Sequence, residues 1–172
     1  MVHLSSSLYL ALLVASPYLL YEVFRFVSPA LYASEKRYAL LLVVSMYVLF
    51  ACGVLLSYYL VFPISLRFLG TYQVSGDVEN LISLQSYIGT LTGMTLMMGI
   101  VFEIPVLCWL LARVGILSSR FMSHYRRHAI VVILIIAAII TPTSDVFTLL
   151  LVAMPVWLLY EVSILLVKRV NR

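Results

Sequence analysis

The sequence predicts an all-α integral membrane protein, and its composition is the first reason. Of the 172 residues, 64% are hydrophobic and 10% are charged, whereas a soluble domain averages about 25% charged residues. The mean hydropathy of +1.12 agrees with this class. The second reason is that five apolar stretches follow one another along the chain, as transmembrane helices do.

The lengths of these stretches differ. Residues 8–24, 39–62, 88–112 and 149–167 approach or exceed the roughly 17–25 residues that span a bilayer. The stretch at 129–140 has about 12 residues, or about 18 Å of helix, which is short for a hydrocarbon core of about 30 Å. The connection TPTSDVFT to the last stretch is tight. We therefore predict five transmembrane helices, the last two short, forming a hairpin in a locally thinned or protein-shielded bilayer, or else a re-entrant pair.

Basic residues in the loops predict the orientation. Of the 11 lysines and arginines, all but Arg67 lie between stretches one and two, between three and four, or after stretch five. The positive-inside rule places these three segments in the cytoplasm. The C-terminus is then inside, and five spans put the N-terminus outside. Because the start MVHLSSS has no basic segment and no cleavage motif, we expect an upstream helix to be missing from this chain.

Several kinds of binding site are not supported by the sequence. The net charge of +4 follows from the topology, so no nucleic-acid binding is inferred from it. Without a GxxxxGK[ST] phosphate loop, no nucleotide is expected either. Cys52 and Cys108 lie in apolar stretches as small hydrophobic residues. His124 and His128 have metal-ligand spacing but lack a third ligand, so we predict no metal and no cofactor.

Prolines in or beside the spans predict bent helices. Pro17, Pro63, Pro105 and Pro155 each remove an intrahelical hydrogen bond. Bent helices can curve around a cavity or groove, in which neighbours or water satisfy the freed carbonyl groups. The alternative is that each proline is merely tolerated in its span.

Glu103 is a carboxylate deep inside an apolar stretch. It lies within GMTLMMGIVFEIPVLCWLLARVG, residues 93–115, two positions before Pro105. An ionised side chain at the centre of a spanning helix costs roughly 2.5–3.5 kcal/mol on insertion scales. Glu103 is therefore either a protonated, hydrogen-bonded residue that serves stability alone, or a functional polar group on a concave, partly wet face.

Four segments carry a family resemblance, in order along the chain: FVSPALYASEKR, FEIPVLCWLLARVGIL, RRHAIVVILIIAAIITPTSDVF and LLVAMPVWLLYEVSI. Together they resemble TatC, the multispanning core subunit of twin-arginine protein translocation. The resemblance implies one membrane domain over residues 1–172, with a glove-like concave shape and helices equivalent to spans two to six of the family. The chain departs from the family in lacking its N-terminal segment and first helix. The turn before the last helix also keeps only one of two prolines, Pro142, and Asp145 is displaced by a residue.

The resemblance implies a receptor and scaffold in the cell inner membrane, with no enzymatic activity. In the family, the first cytoplasmic loop receives the paired arginines of signal peptides, and Glu35 and Phe26 match that motif. Glu22, one helical turn before Phe26, would add negative charge on the same face. Guanidinium groups form strong bidentate bonds with carboxylates. The alternative for Glu35 is a solvated surface ion pair.

The resemblance also implies protein partners. Glu103, with Pro105 beside it, is similar in position to a family glutamate that meets a polar residue of the single-span subunits TatA and TatB. Signal peptides of folded cargo and membrane lipid complete the expected partners. Asp145 is expected to cap the last helix, and Glu161 to pair with Lys168 or Arg127.

Two other function classes remain open. A small proton-coupled secondary transporter would use Glu103 as its coupling site, although the inverted repeats of such proteins are not visible. An intramembrane enzyme would need a nucleophile beside a base, and the sequence offers no such pair at matched depth.

Cysteine labelling tests the predicted topology. In a background without Cys52 and Cys108, a cysteine at Ser75 should react with an impermeant reagent from outside. A cysteine at Ser119 should react only after permeabilisation, because the basic residues around it hold that loop in the cytoplasm. The reverse labelling pattern would contradict the topology.

Overall fold

The computed structural model describes residues 36–71, 84–141 and 145–170, and nearer the N-terminus residues 7, 11, 14–16, 18, 19, 21, 22 and 25. All regular elements in these ranges are helical, which confirms the predicted all-α class. The elements are α1 (Lys36–Leu56), a π-helical turn (Ser57–Val61), α2 (Phe62–Thr71), α3 (Leu84–Val101), α4 (Ile104–Arg113), α5 (Ser119–His124), α6 (Arg126–Ile140) and α7 (Val146–Val170).

Three helical segments of the described ranges are long and apolar enough to cross a membrane: Leu41–Arg67, Ser86–Arg113 and Val146–Val170. This confirms a polytopic membrane protein. The first predicted span falls largely outside the described residues, so the count of five spans stays a prediction. The glove-like shape stays a prediction as well.

The two final helices differ in length. α6 has 15 residues and is short, as predicted. The prediction of a short last helix is wrong, because α7 has 25 residues. It begins before the apolar stretch, at Val146, and continues through the basic residues Lys168 and Arg169, which are good helix formers. Pro155 lies inside α7, and the helix continues through it.

Pro63 changes the helix geometry within the membrane-spanning segment Leu41–Arg67. The π-helical turn ends at Val61, two residues before Pro63, and the N–H of Phe62 donates to the carbonyl of Ser57. Pro63 has no N–H to continue the regular ladder, so the wider turn redistributes the backbone hydrogen bonds at this point. In a membrane such a rearrangement is required, because hydrocarbon offers no hydrogen bonds to a freed backbone group.

α1 and α3 cross at two glycines. A Cβ added at Gly53 would lie 2.8 Å from the carbonyl oxygen of Met98 and 3.0 Å from the Cα of Gly99. A Cβ added at Gly99 would lie 2.5 Å from the ring of Phe50. Glycine lets two transmembrane backbones approach closely. The sequence analysis did not single out Gly53, whose importance depends on which helix lies against it.

Buried apolar side chains form three clusters among the described residues. The first joins the π-helical turn and α2 to α3, α6 and α7: Val61, Phe62, Met94, Met98, Phe102, Ile133, Ala137, Ile140, Val152, Ala153 and Val156. The second joins α1 to α4: Leu42, Met46, Val106 and Leu110. The third joins α4, α5 and α7: Ala112, Met122, Ile164 and Val167. The described helices are thus connected through side-chain packing.

Alanine at Gly53 should destabilise the protein. The new methyl group meets backbone atoms of α3, which cannot rotate away, so we expect a loss of about 1–3 kcal/mol in the free energy of unfolding, as in other overpacked sites. Gly93→Ala is the matched control, because no described atom lies within 4 Å of a Cβ there. It should be neutral, or stabilise by up to about 1 kcal/mol through helix propensity. Thermal unfolding in detergent measures both, and equal melting temperatures for the two variants would contradict the close crossing.

Candidate functional site

Glu103 lies at a break between two helices. α3 ends at Val101, Phe102 and Glu103 form a turn, and α4 begins at Ile104. The N–H of Glu103 donates to the carbonyl of Ile100 at 3.1 Å, three residues back instead of four. Pro105 explains the break, since proline lacks an N–H and is well placed in the first turn of a new helix. The sequence analysis predicted a bend here, and the structure places a helix break at this position.

The Glu103 side chain is almost completely buried, with 1% of its surface exposed. Neither carboxyl oxygen makes a hydrogen bond with any residue that the structure describes. It therefore also gives no side-chain cap to α4. A buried polar group without a partner costs about 1–3 kcal/mol. Pro105 is fully buried as well, so the break is held inside the protein.

Two further polar side chains are buried without a hydrogen bond to the described residues. They are the hydroxyls of Ser57 in the π-helical turn and Thr148 in the first turn of α7, both 0% exposed. The sequence analysis did not single out either residue. The sequence gives only a weak indication that Ser57 is important: it is a hydroxyl residue in an apolar stretch, six positions before Pro63. The sequence gives no such indication for Thr148.

Of the residues expected to bind a signal peptide, the structure describes Glu22. Glu22 is helical, and its carboxylate lies 3.8 Å from the guanidinium of Arg25. Both side chains are exposed to solvent, at 40% for Glu22 and 70% for Arg25. Glu35 and Phe26 lie outside the described residues, so how the three are arranged stays a prediction.

Asp145 lies at the start of α7. Its carboxylate accepts a hydrogen bond of 2.6 Å from the backbone N–H of Thr148, which has the geometry of an N-cap. Its carbonyl accepts from the N–H of Leu149. Pro142, expected in the same turn, lies outside the described residues.

The opposite end of α7 is tied to the segment around α5. The hydroxyl of Tyr160 donates to the carbonyl of Met122 at 2.9 Å. Glu161 pairs with Arg126 at 3.1 Å, so the expectation of Lys168 or Arg127 as its partner is wrong. The guanidinium of Arg126, the first residue of α6, reaches α7, whereas Lys168 is two helical turns beyond Glu161 on the same helix.

The two histidines near α5 are exposed at the surface. His124 and His128 each contact the ring of Tyr125, with centroid distances of 5.1 Å and 5.3 Å. Within the described ranges, no group of three histidine, cysteine, aspartate or glutamate residues could hold a metal ion. Earlier in the chain, α4 is followed by a turn at Gly115, whose positive φ of 84° suits glycine.

Comparison with known proteins assigns the family. A family model described as Sec-independent protein translocase protein (TatC) matches residues 1–155. The TatC protein of Carboxydothermus hydrogenoformans is 36% identical over 169 residues, covering 98% of this chain and 69% of that protein. The TatC protein of Koribacter versatilis is 40% identical over 163 residues, covering 95% of this chain and 59% of that protein. A crystal structure of the twin arginine translocase receptor TatC in DDM superposes with a TM-score of 0.81 and 35% identity, covering 96% of this chain and 73% of that one.

These matches extend over nearly the whole chain, and the chain spans 69% and 59% of the length of the two relatives. They do not favour the alternative of a small proton-coupled transporter. The chain belongs to the TatC family, whose members are membrane components of a protein translocase and not enzymes.

Proposed function

We propose that this chain acts as the receptor and scaffold subunit of a twin-arginine translocase in the cell inner membrane. It binds the twin-arginine signal peptides of folded cargo and docks single-span subunits of the TatA and TatB kind. Membership of the TatC family supports this function, and the solved relative is described as a twin arginine translocase receptor. The observation that carries the docking function is the buried carboxyl of Glu103, which has no hydrogen bond to the described residues.

The proposed orientation places the C-terminus in the cytoplasm and the N-terminus of this chain outside. One membrane domain, over residues 1–172, then contains helices equivalent to spans two to six of the family. The positions of basic residues support this orientation: Arg113 ends α4, Arg126 begins α6, and Lys168 and Arg169 lie in the last turn of α7. The ion pair of Arg126 with Glu161 brings the start of α6 near the end of α7, so these bases share one end of the protein.

Docking at Glu103 is favoured by the free-energy cost of a buried carboxyl that has no hydrogen bond to the described residues. A polar side chain on a second helix would supply the missing hydrogen bond, and such bonds in membranes are worth roughly 0.6–2 kcal/mol. Ile100 and Leu107, about one helical turn before and after Glu103, are 48% and 44% exposed. These two side chains offer a contact surface for another transmembrane helix, and the carboxyl, which is 1% exposed, would have to turn towards it on docking.

Substitution of Glu103 separates the possible roles of the carboxyl. Glu103→Gln keeps the size and hydrogen-bonding capacity, so it should retain copurification with the single-span subunits if docking requires a hydrogen bond. Glu103→Leu removes the polar group and should lose copurification. The isolated Leu variant should be no less stable than the natural protein, because an unsatisfied polar group has been removed from the interior.

Met98→Leu is the matched control for these variants. Met98 is fully buried five residues earlier, and this swap conserves volume, so it should leave copurification unchanged. The docking proposal would be wrong if Glu103→Leu lowered thermal stability in detergent while the amount of partner copurified per folded molecule stayed the same. Loss with both Gln and Leu would mean that docking requires the charge.

Signal-peptide binding is proposed at Glu22 and Glu35, with Phe26 packing on the peptide or on a guanidinium face. Two guanidinium groups require carboxylates at a membrane surface. The Glu22–Arg25 pair is exposed and is 3.8 Å long, and such a pair contributes about 0–1 kcal/mol. An incoming arginine can therefore replace Arg25 at small cost.

Removing both carboxylates should weaken crosslinking to a twin-arginine peptide. We expect at most about a fivefold loss of affinity for Glu22→Ala alone, because that side chain is exposed. Charge-assisted bonds are worth about 1.5–3 kcal/mol apiece where they are shielded from water, so Glu22→Ala with Glu35→Ala should lose more than about tenfold. A twin-lysine peptide should be less sensitive, since lysine cannot form the bidentate pair.

Glu79→Ala is the control for this experiment, because the predicted topology places Glu79 on the opposite side of the membrane. It should bind the peptide as the natural protein does. Unchanged binding of the arginine peptide by the double variant would make Glu35 a surface ion-pair residue.

A further inference from the structure

A cavity of about 440 Å³ lies along the C-terminal part of α7. Its lining among the described residues comes from two consecutive turns of this helix: Val162, Leu165, Leu166, Lys168 and Arg169. The volume is within the range of about 300–1,000 Å³ that small-molecule sites occupy. Neither the family resemblance nor the proposed receptor function uses this cavity.

The N-terminal part of the lining is apolar and faces outward. Val162 is 46% exposed and Leu165 is 62% exposed, three residues apart and so on the same side of α7. Both belong to the apolar part of the helix that is long enough to span a membrane. Hydrocarbon chains are the natural contact for such side chains at this depth.

The C-terminal part of the lining is basic. Lys168 and Arg169 are exposed in the last turn of α7, about 10 Å beyond Val162 along the helix axis. Neither makes an ion pair with the residues that the structure describes. Glu161, the nearest acidic residue along α7, is already paired with Arg126 at 3.1 Å. Two positive charges therefore lie uncompensated, within the described part of the chain, at the end of an apolar wall.

We propose that this cavity binds an anionic phospholipid of the bilayer. The phosphate lies between the ammonium of Lys168 and the guanidinium of Arg169, and the upper part of an acyl chain lies along Val162 and Leu165. The order of the lining supports this occupant, because an apolar wall followed by two cations along a transmembrane helix matches a lipid from its chain to its headgroup. An acidic protein segment or free phosphate would need the cations but not the wall.

Lipid binding to the purified full chain tests the proposal. Native mass spectrometry in mild detergent, with added phosphatidylglycerol or phosphatidylcholine, should show preferential retention of phosphatidylglycerol. Each basic residue near a membrane surface contributes about fivefold. The double variant Lys168→Gln with Arg169→Gln should therefore lose at least about tenfold in phosphatidylglycerol affinity and retain its affinity for phosphatidylcholine.

The matched control removes the same charge elsewhere on the same side. Arg120→Gln with Arg127→Gln should change phosphatidylglycerol affinity by less than about threefold, because neither residue lines the cavity. A second variant, Leu165→Trp, keeps both bases and fills the apolar wall at an exposed position that tolerates a larger side chain. It should weaken phosphatidylglycerol binding too.

Three results would overturn the proposal. Equal losses in the two double variants would mean diffuse attraction by surface charge. Unchanged binding by Leu165→Trp would mean that the wall holds no chain. Full displacement of phosphatidylglycerol by inorganic phosphate would mean that the site recognises the anion alone.

Discussion

The backbones of α1 and α3 approach each other closely where the two helices cross, because Gly53 and Gly99 have no side chain that would hold them apart. The ring of Phe102 lies 2.9 Å from the point where a Cβ of Gly53 would stand. Phe102 also directly precedes Glu103 in the turn that follows α3. The crossing thus holds the point at which one helix stops and, with Pro105 in its first turn, the next begins. The position of the buried carboxyl depends on this contact.

The hydroxyl groups inside these helices and the carboxyl group of Glu103 differ in their hydrogen bonds. Several serine and threonine hydroxyls donate to the carbonyl four residues earlier in their own helix: Ser45, Ser65, Thr95, Thr141 and Ser163. Such bonds satisfy a polar side chain in hydrocarbon without any second helix. Glu103 makes no such bond with the described residues. The proposed docking rests on this difference, since a polar side chain of a second helix would supply a hydrogen bond that the described residues do not.

Much of the fold follows from the sequence, because hydrophobic length and basic loops are properties of the chain itself. Glu103 and Pro105 could be selected for the same reason, since a carboxylate and a proline inside an apolar run are conspicuous. The length of α7 could not, because charged residues end an apolar stretch without ending a helix. The partner of Glu161 and the role of Gly53 depend on which helices become neighbours, and a single sequence does not state this. Glu35, Phe26 and Pro142 lie outside the described residues.

The unequal lengths of α6 and α7 have a consequence for the lipid around them. At 15 and 25 residues, they are about 22 Å and about 37 Å long, on either side of a hydrocarbon thickness of about 30 Å. Val131, Ile135 and Ile139 on α6 are 56%, 55% and 72% exposed, so this apolar face of the short helix is left open by the rest of the chain. Compression of the bilayer costs fractions of a kcal/mol per Å. In the predicted topology, in which α6 crosses the membrane, the bilayer beside this helix would be compressed, and a protein surface that displaced lipid from that side would release the elastic energy.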